Sequence, residues 1–125
     1  MVILLDAMGG DNAPDAAVKG AVKAINEIES EILLIGKQEI ISQKFQEFYG
    51  KSCDQISDRI KIYNAEEEIV MEDIPTVAIK QKKDSSMVVG FRLLNEGKGD
   101  VFISARELRS TFNWSNSPYR QNKRN

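Results

Sequence analysis

The stretch DAMGGDNAP, Asp6–Pro14, follows a short apolar run, Val2–Leu5, and leads into a helical pattern. A strand that closes on a glycine pair and feeds a helix is how open α/β sheets bring backbone N–H groups against an anionic ligand. The chain is therefore expected to open with a ligand loop. Gly9 and Gly10 alone could equally make a tight strand-to-helix turn. Their neighbours raise the functional reading, because Asp6 at the strand's carboxyl end and Asp11 in the same loop lie where such sheets collect ligands. The loop carries neither GxxxxGK followed by Ser or Thr nor GxGxxG, so nucleotide binding is not supported.

Working outward, strand and helix signals alternate through residue 105. Strands are expected at Val2–Leu5, Ile32–Ile35, Ile60–Tyr63 and Val101–Ile103. Pro14 suits the first turn of a helix with Asn12 or Ala13 near its cap, and Ala17, Ala21, Ala24, Ile25 and Ile28 form an apolar stripe. Further helices are read over Gln38–Tyr49, stopped by Gly50, over Pro75–Ile79, and over Met87–Asn95, capped by Asp84 or Ser85 and ended by Gly97 and Gly99. Continuously apolar strands between helices imply an α/β fold with three layers, a mostly parallel sheet with helices on both faces.

Composition narrows the function classes. The 125 residues correspond to about one domain, and 42% apolar with 29% charged residues is ordinary for a globular chain. No apolar run is long enough to cross a bilayer, and MVILLD lacks a basic leader, so a cytoplasmic location is expected. A single cysteine, Cys53, excludes an internal disulfide, and the absence of histidine excludes catalytic triads and histidine-ligated zinc. Cys53 lies among polar residues and reads as incidental. The acidic run Glu66, Glu67, Glu68, Glu72 and Asp73 reads as a solvated face, so no metal site is assigned.

A second candidate is KKDSSM, Lys82–Met87. Lysines beside hydroxyls and the free N–H groups of a helix start suit a phosphate or acyl phosphate, whose oxygens need several donors at once. An ordinary capped helix with solvated lysines is the plainer reading of the same spacing, and it carries more weight there.

Together DAMGGDNAP, then NAEEEIVMEDIP (Asn64–Pro75), then KKDSSMVVGFRLLNEGKGDVFISA (Lys82–Ala105) resemble the bacterial phosphate acyltransferase family, also called the fatty acid/phospholipid synthesis proteins. The resemblance covers residues 1–105. It implies a Rossmann-like fold of the isopropylmalate-dehydrogenase and phosphotransacetylase type, here truncated. It also implies transfer of a long acyl group from acyl carrier protein to inorganic phosphate, for phospholipid synthesis, with no redox cofactor. On this resemblance Asp6, Asp11 and Lys83 are the candidate catalytic residues, while Gly9, Gly10, Asn12, Ser85, Ser86 and Ser104 are candidate substrate contacts. Asp6 or Asp11 would orient the donors. Asn12 stands where some members have histidine, which weakens any mechanism needing an imidazole base.

For the full-length protein the resemblance implies a homodimer, handing its product to a membrane glycerol-phosphate acyltransferase and so lying peripherally at the membrane. Two other classes fit the architecture: an isopropylmalate-type dehydrogenase fragment, which would need nucleotide and metal sites, and a non-catalytic α/β binding module.

After Ala105 the family pattern stops, where members continue SAGNTGA. Residues 106–125 are foreign in character: five basic side chains, Arg106, Arg109, Arg120, Lys123 and Arg124, against Glu107 alone, with the only Trp, Trp114, and no glycine. This density of basic residues is too diluted for a nucleic-acid arm. A one-base insertion accounts for the change if each true codon joins two bases of one present codon to the first of the next; it restores SAGNSGA and an apolar helix. The tail is expected to be such a frameshifted read, leaving the fragment inactive alone and Val101–Ile103 an exposed sheet edge.

Overall fold

A computed structural model of the chain describes residues 1–10, 12–66 and 85–104. Its elements run β1 (Val2–Asp6), α1 (Asp15–Ile25), β2 (Glu31–Gly36), α2 (Gln38–Tyr49), α3 (Cys53–Ile56), β3 (Ile60–Asn64), α4 (Ser86–Asn95) and β4 (Val101–Ile103). The helix expected over Pro75–Ile79, most of the acidic run and the tail from residue 105 lie outside the described residues.

The four strands form one parallel sheet in the order β3-β2-β1-β4. Leu4 of β1 stands opposite Leu33 of β2 and Phe102 of β4, and Leu5 opposite Leu34 and Ile103. Because side chains alternate along a strand, the two central strands feed two cores. On one face Ile32, Leu34 and Ile60 pack with Val18, Ala21, Ile25, Ile41 and Phe45 of α1 and α2. On the other, Leu4 and Ile35 pack with Val89 and Leu93 of α4, with Leu33 and Phe102 alongside. Helices thus cover both faces, as the uninterrupted apolar strands require. The end strand β4 leaves Ile103 49% exposed.

Local structure departs from expectation at α1. Pro14 is the residue before the helix rather than inside its first turn, and the first helical bonds run from the amides of Ala16 and Val18 to the carbonyls of Asn12 and Pro14. The inward stripe is Val18, Ala21 and Ile25, whereas Ile28 lies past the helix end and is 37% exposed. The reason is Arg59, whose guanidinium takes the carbonyls of Ile25 and Ile28 and closes the helix before a further turn forms. The short α3, held by a capping box between Ser52 and Gln55, has no apolar periodicity to announce it. α2 ends on Gly50 at φ 70°, a left-handed conformation that glycine adopts without a Cβ clash.

Candidate active site

The chain order sets where a ligand would go. From β1 the sheet grows through β2 to β3, and the chain then crosses back to place β4 on the other side of β1. The strand order therefore reverses between β1 and β4, and α/β sheets bind ligands outside the carboxyl ends of the strands at such a switch point. Asp6 ends β1, Ser104 directly follows β4, and α4, which leads into β4, starts at Ser86.

These three positions meet. The Asp6 side chain, 2% exposed, accepts the Ser86 hydroxyl on Oδ1 at 2.6 Å and the Ser104 hydroxyl on Oδ2 at 2.8 Å. The Met8 backbone N–H, in the loop after β1, also donates to Oδ1 at 3.0 Å. A buried carboxylate is costly unless hydrogen-bonded, and bonds of this kind to a charged acceptor are short and strong. One carboxylate thus joins the opening loop, the start of α4 and the end of β4.

Ser85 caps α4: it is extended, fully buried, and its hydroxyl oxygen accepts the Val88 N–H at 3.2 Å. Between the two caps expected from sequence, Ser85 is the one that performs the role. The backbone N–H groups of the first turn point out of the helix end, whose dipole carries roughly half a positive charge. Gly10 turns the loop at φ 89°, and Gly9 precedes it partly exposed. Asn12 is exposed at the mouth of an open groove of about 470 Å³ lined by Asn12, Ala13, Asp15, Ala16 and Lys19. Asp15 and Lys19 carry no motif that marks them in the sequence, although their i, i+4 spacing places them on one helix face.

Of the sequence-derived candidates, the structure joins Asp6, Ser86 and Ser104 directly, sets Ser85 next to them, and leaves Gly9, Gly10 and Asn12 in the loop that carries Met8. Asp11 and Lys83 lie outside the described residues. Among the described residues no cluster of three or more metal-ligating side chains occurs, and no helix is long and apolar enough to cross a membrane.

The carboxyl ends of β1 and β4, with the start of α4 beside them, are where a sheet of this topology would take a ligand. Comparison with known proteins gives the family. Residues 1–108 match the family model described as "Fatty acid synthesis protein". The phosphate acyltransferase of Acetivibrio thermocellus is 56% identical over 105 residues, 83% of this chain and 30% of that protein. Those of Alkaliphilus oremlandii and Endomicrobium trichonymphae are 43% and 45% identical, over 84% and 83% of this chain and again 30% of their own length. The chain spans about 30% of the length of the curated relatives it matches. The segment that fits the family model holds Asp6, Ser85, Ser86 and Ser104. With its first 108 residues fitting the family model and these identities across the same region, the chain belongs to the fatty acid synthesis protein family.

Proposed function

We propose that this chain contributes the phosphate-binding end of an acyltransferase that moves a long acyl group from acyl carrier protein to inorganic phosphate, yielding acyl phosphate for phospholipid synthesis. The observation that carries this reading is the meeting of the β1 loop, the start of α4 and the end of β4 on Asp6 at the switch point. The relatives' name supports an acyl transfer to phosphate over a dehydrogenase or a non-catalytic module.

Chemically, the reaction needs phosphate held as nucleophile, the thioester carbonyl's developing oxyanion stabilised, and the released thiol of the carrier protein protonated. Backbone N–H groups of the glycine loop and of the first turn of α4 serve the anionic oxygens. Lys83, two residues before the Ser85 cap in sequence, supplies positive charge in this scheme, and Asp11 orients donors within the loop. No cofactor takes part. The partners are acyl carrier protein, a second copy of the complete protein, and a membrane glycerol-phosphate acyltransferase that consumes the product; the protein works in the cytoplasm, against the membrane surface.

The experiment is a transplant of residues 1–105 into the corresponding segment of the Acetivibrio thermocellus phosphate acyltransferase, with acyl phosphate trapped by hydroxylamine. Acyl phosphate formation that falls on Lys83→Ala and on Asp11→Ala is expected. A folded chimera that releases no carrier thiol in the presence of phosphate would sink the proposal.

A further inference from the structure

We propose that Asp6 is a positioning residue that sets the spacing of the anion-binding backbone by taking the protons of Ser86, Ser104 and Met8 at once; this rests on the phosphate reading above. Each serine hydroxyl has a single proton. Ser86 and Ser104 both place theirs on Asp6, one on each carboxylate oxygen, with the Met8 N–H as the third arm. Their hydroxyls therefore act as ties between segments, not as proton donors to a bound anion, and among the described residues the backbone N–H groups of the loop and of α4 are the donors that serve it, beside the charge proposed for Lys83. Two of the tied residues lie 80 and 98 positions from Asp6 in the chain, so the carboxylate fixes the start of α4 against the end of β4 across the switch point.

The arrangement is built to be stiff. Asp6, Ser85 and Ser86 are all buried, and Ser85 holds the Val88 N–H while its carbonyl takes the Val89 N–H. A shift of the Ser86 hydroxyl would thus carry the whole first turn of α4 with it. An asparagine at position 6 has one acceptor oxygen and an NH₂ group in place of the second, so it cannot take both hydroxyl protons and the amide as the carboxylate does.

Two measurements on the 125-residue chain separate the clamp from the phosphate reading: amide hydrogen exchange, and titration with inorganic phosphate followed by the ³¹P resonance. In Asp6→Asn, exchange at Met8 and Val88 is expected to quicken at least about tenfold relative to Phe45 in the other core, the size of losing a charged hydrogen bond. Phosphate affinity, compared at equal folded fraction, is expected to drop at least about tenfold with an altered bound ³¹P shift. Ser104→Ala removes one arm at the strand end and gives the same changes at smaller size; in the double variant the two losses do not add.

Unchanged exchange at Met8 and Val88 in both single variants overturns the clamp. Faster exchange with phosphate affinity and ³¹P shift unaltered overturns the positioning role and leaves a structural tie. A parent chain that is folded but binds no phosphate sinks the phosphate reading, and the positioning role falls with it.

Discussion

Arg59, in the turn just before β3, closes the carboxyl end of α1: its Nη2 donates to the Ile25 carbonyl at 2.9 Å and its Nη1 to the Ile28 carbonyl at 2.6 Å. The last carbonyls of a helix have no partner within it, and α1 ends at Asn26 in a right-handed conformation, without a glycine cap. The guanidinium fork supplies the missing donors and a positive charge at the negative end of the helix dipole. It also ties α1 to β3 across the intervening β2 strand.

Arg59→Ala should therefore lower stability by about 1.5–3 kcal/mol, the range for hydrogen bonds to a charged group. Arg59→Lys should recover less than half of that loss, since an ammonium cannot reach two carbonyls as a planar fork. Urea unfolding of the two variants checks this. An Arg59→Lys variant as stable as the parent would show that charge, not the fork, matters there.

Gly90 of α4 faces Phe102 of β4 so closely that a Cβ at position 90 would overlap Cε1, Cδ1 and Cζ of the ring. Phe102 is also held by Phe91, edge to face at a centroid distance of 5.1 Å, so it has little room to withdraw. Alanine would gain up to about 1 kcal/mol in helix propensity, yet overpacking costs typically about 1–3 kcal/mol. Gly90→Ala should destabilise, and Phe102→Leu in the same chain should recover part of the loss. Thermal unfolding in which Gly90→Ala melts higher than the parent would contradict the contact.

These two contacts mark the boundary of what the sequence discloses. All four strands and α2 are legible because continuous apolar runs and Gly50 are local signals, and the switch of strand order follows only once pairing is known. Asp6 is legible as a strand-end carboxylate. Its partners are not, because Ser86 and Ser104 are far away in the chain and nothing local marks two hydroxyls for one carboxylate. The early end of α1 fails for the same reason, since Ile28 continues the helical spacing and only Arg59, from another element, stops it. Gly90 looks like a weak point in a helix until Phe102 is set against it.

Cys53 is half-buried at the start of α3, and burial pushes its thiol pKa up, with the neighbouring Asp54 charge adding to the effect. Thiolate is the reactive form, so the folded protein should alkylate severalfold more slowly than free cysteine at mildly alkaline pH. Iodoacetamide labelling followed by mass spectrometry tests this, with urea-unfolded chain as the reference. Labelling at the same rate folded and unfolded would mean that the thiol is not shielded.

Stability should fall at both ends of the pH scale for two identifiable reasons. The Ser52 hydroxyl, 2.5 Å from Asp54, together with backbone N–H groups, holds the Asp54 carboxyl below its ordinary range. A folded-state value below the unfolded one means that this contribution is complete above about pH 4 and disappears as pH falls through the folded value. Lys44 is shifted the other way: Asp15 at 3.3 Å, and Glu47 at 3.4 Å, raise it above its ordinary value. Its contribution is therefore complete below about pH 10.4 and is lost as pH rises through the folded value. Both groups are at the surface, so salt should reduce each effect. Asp54→Asn should flatten the acid limb and leave the alkaline limb alone, while Lys44→Met should flatten the alkaline limb. Unfolding midpoints in urea between about pH 3 and 11 would reveal the assignment to be mistaken if Asp54→Asn altered the alkaline limb or Lys44→Met left it unchanged.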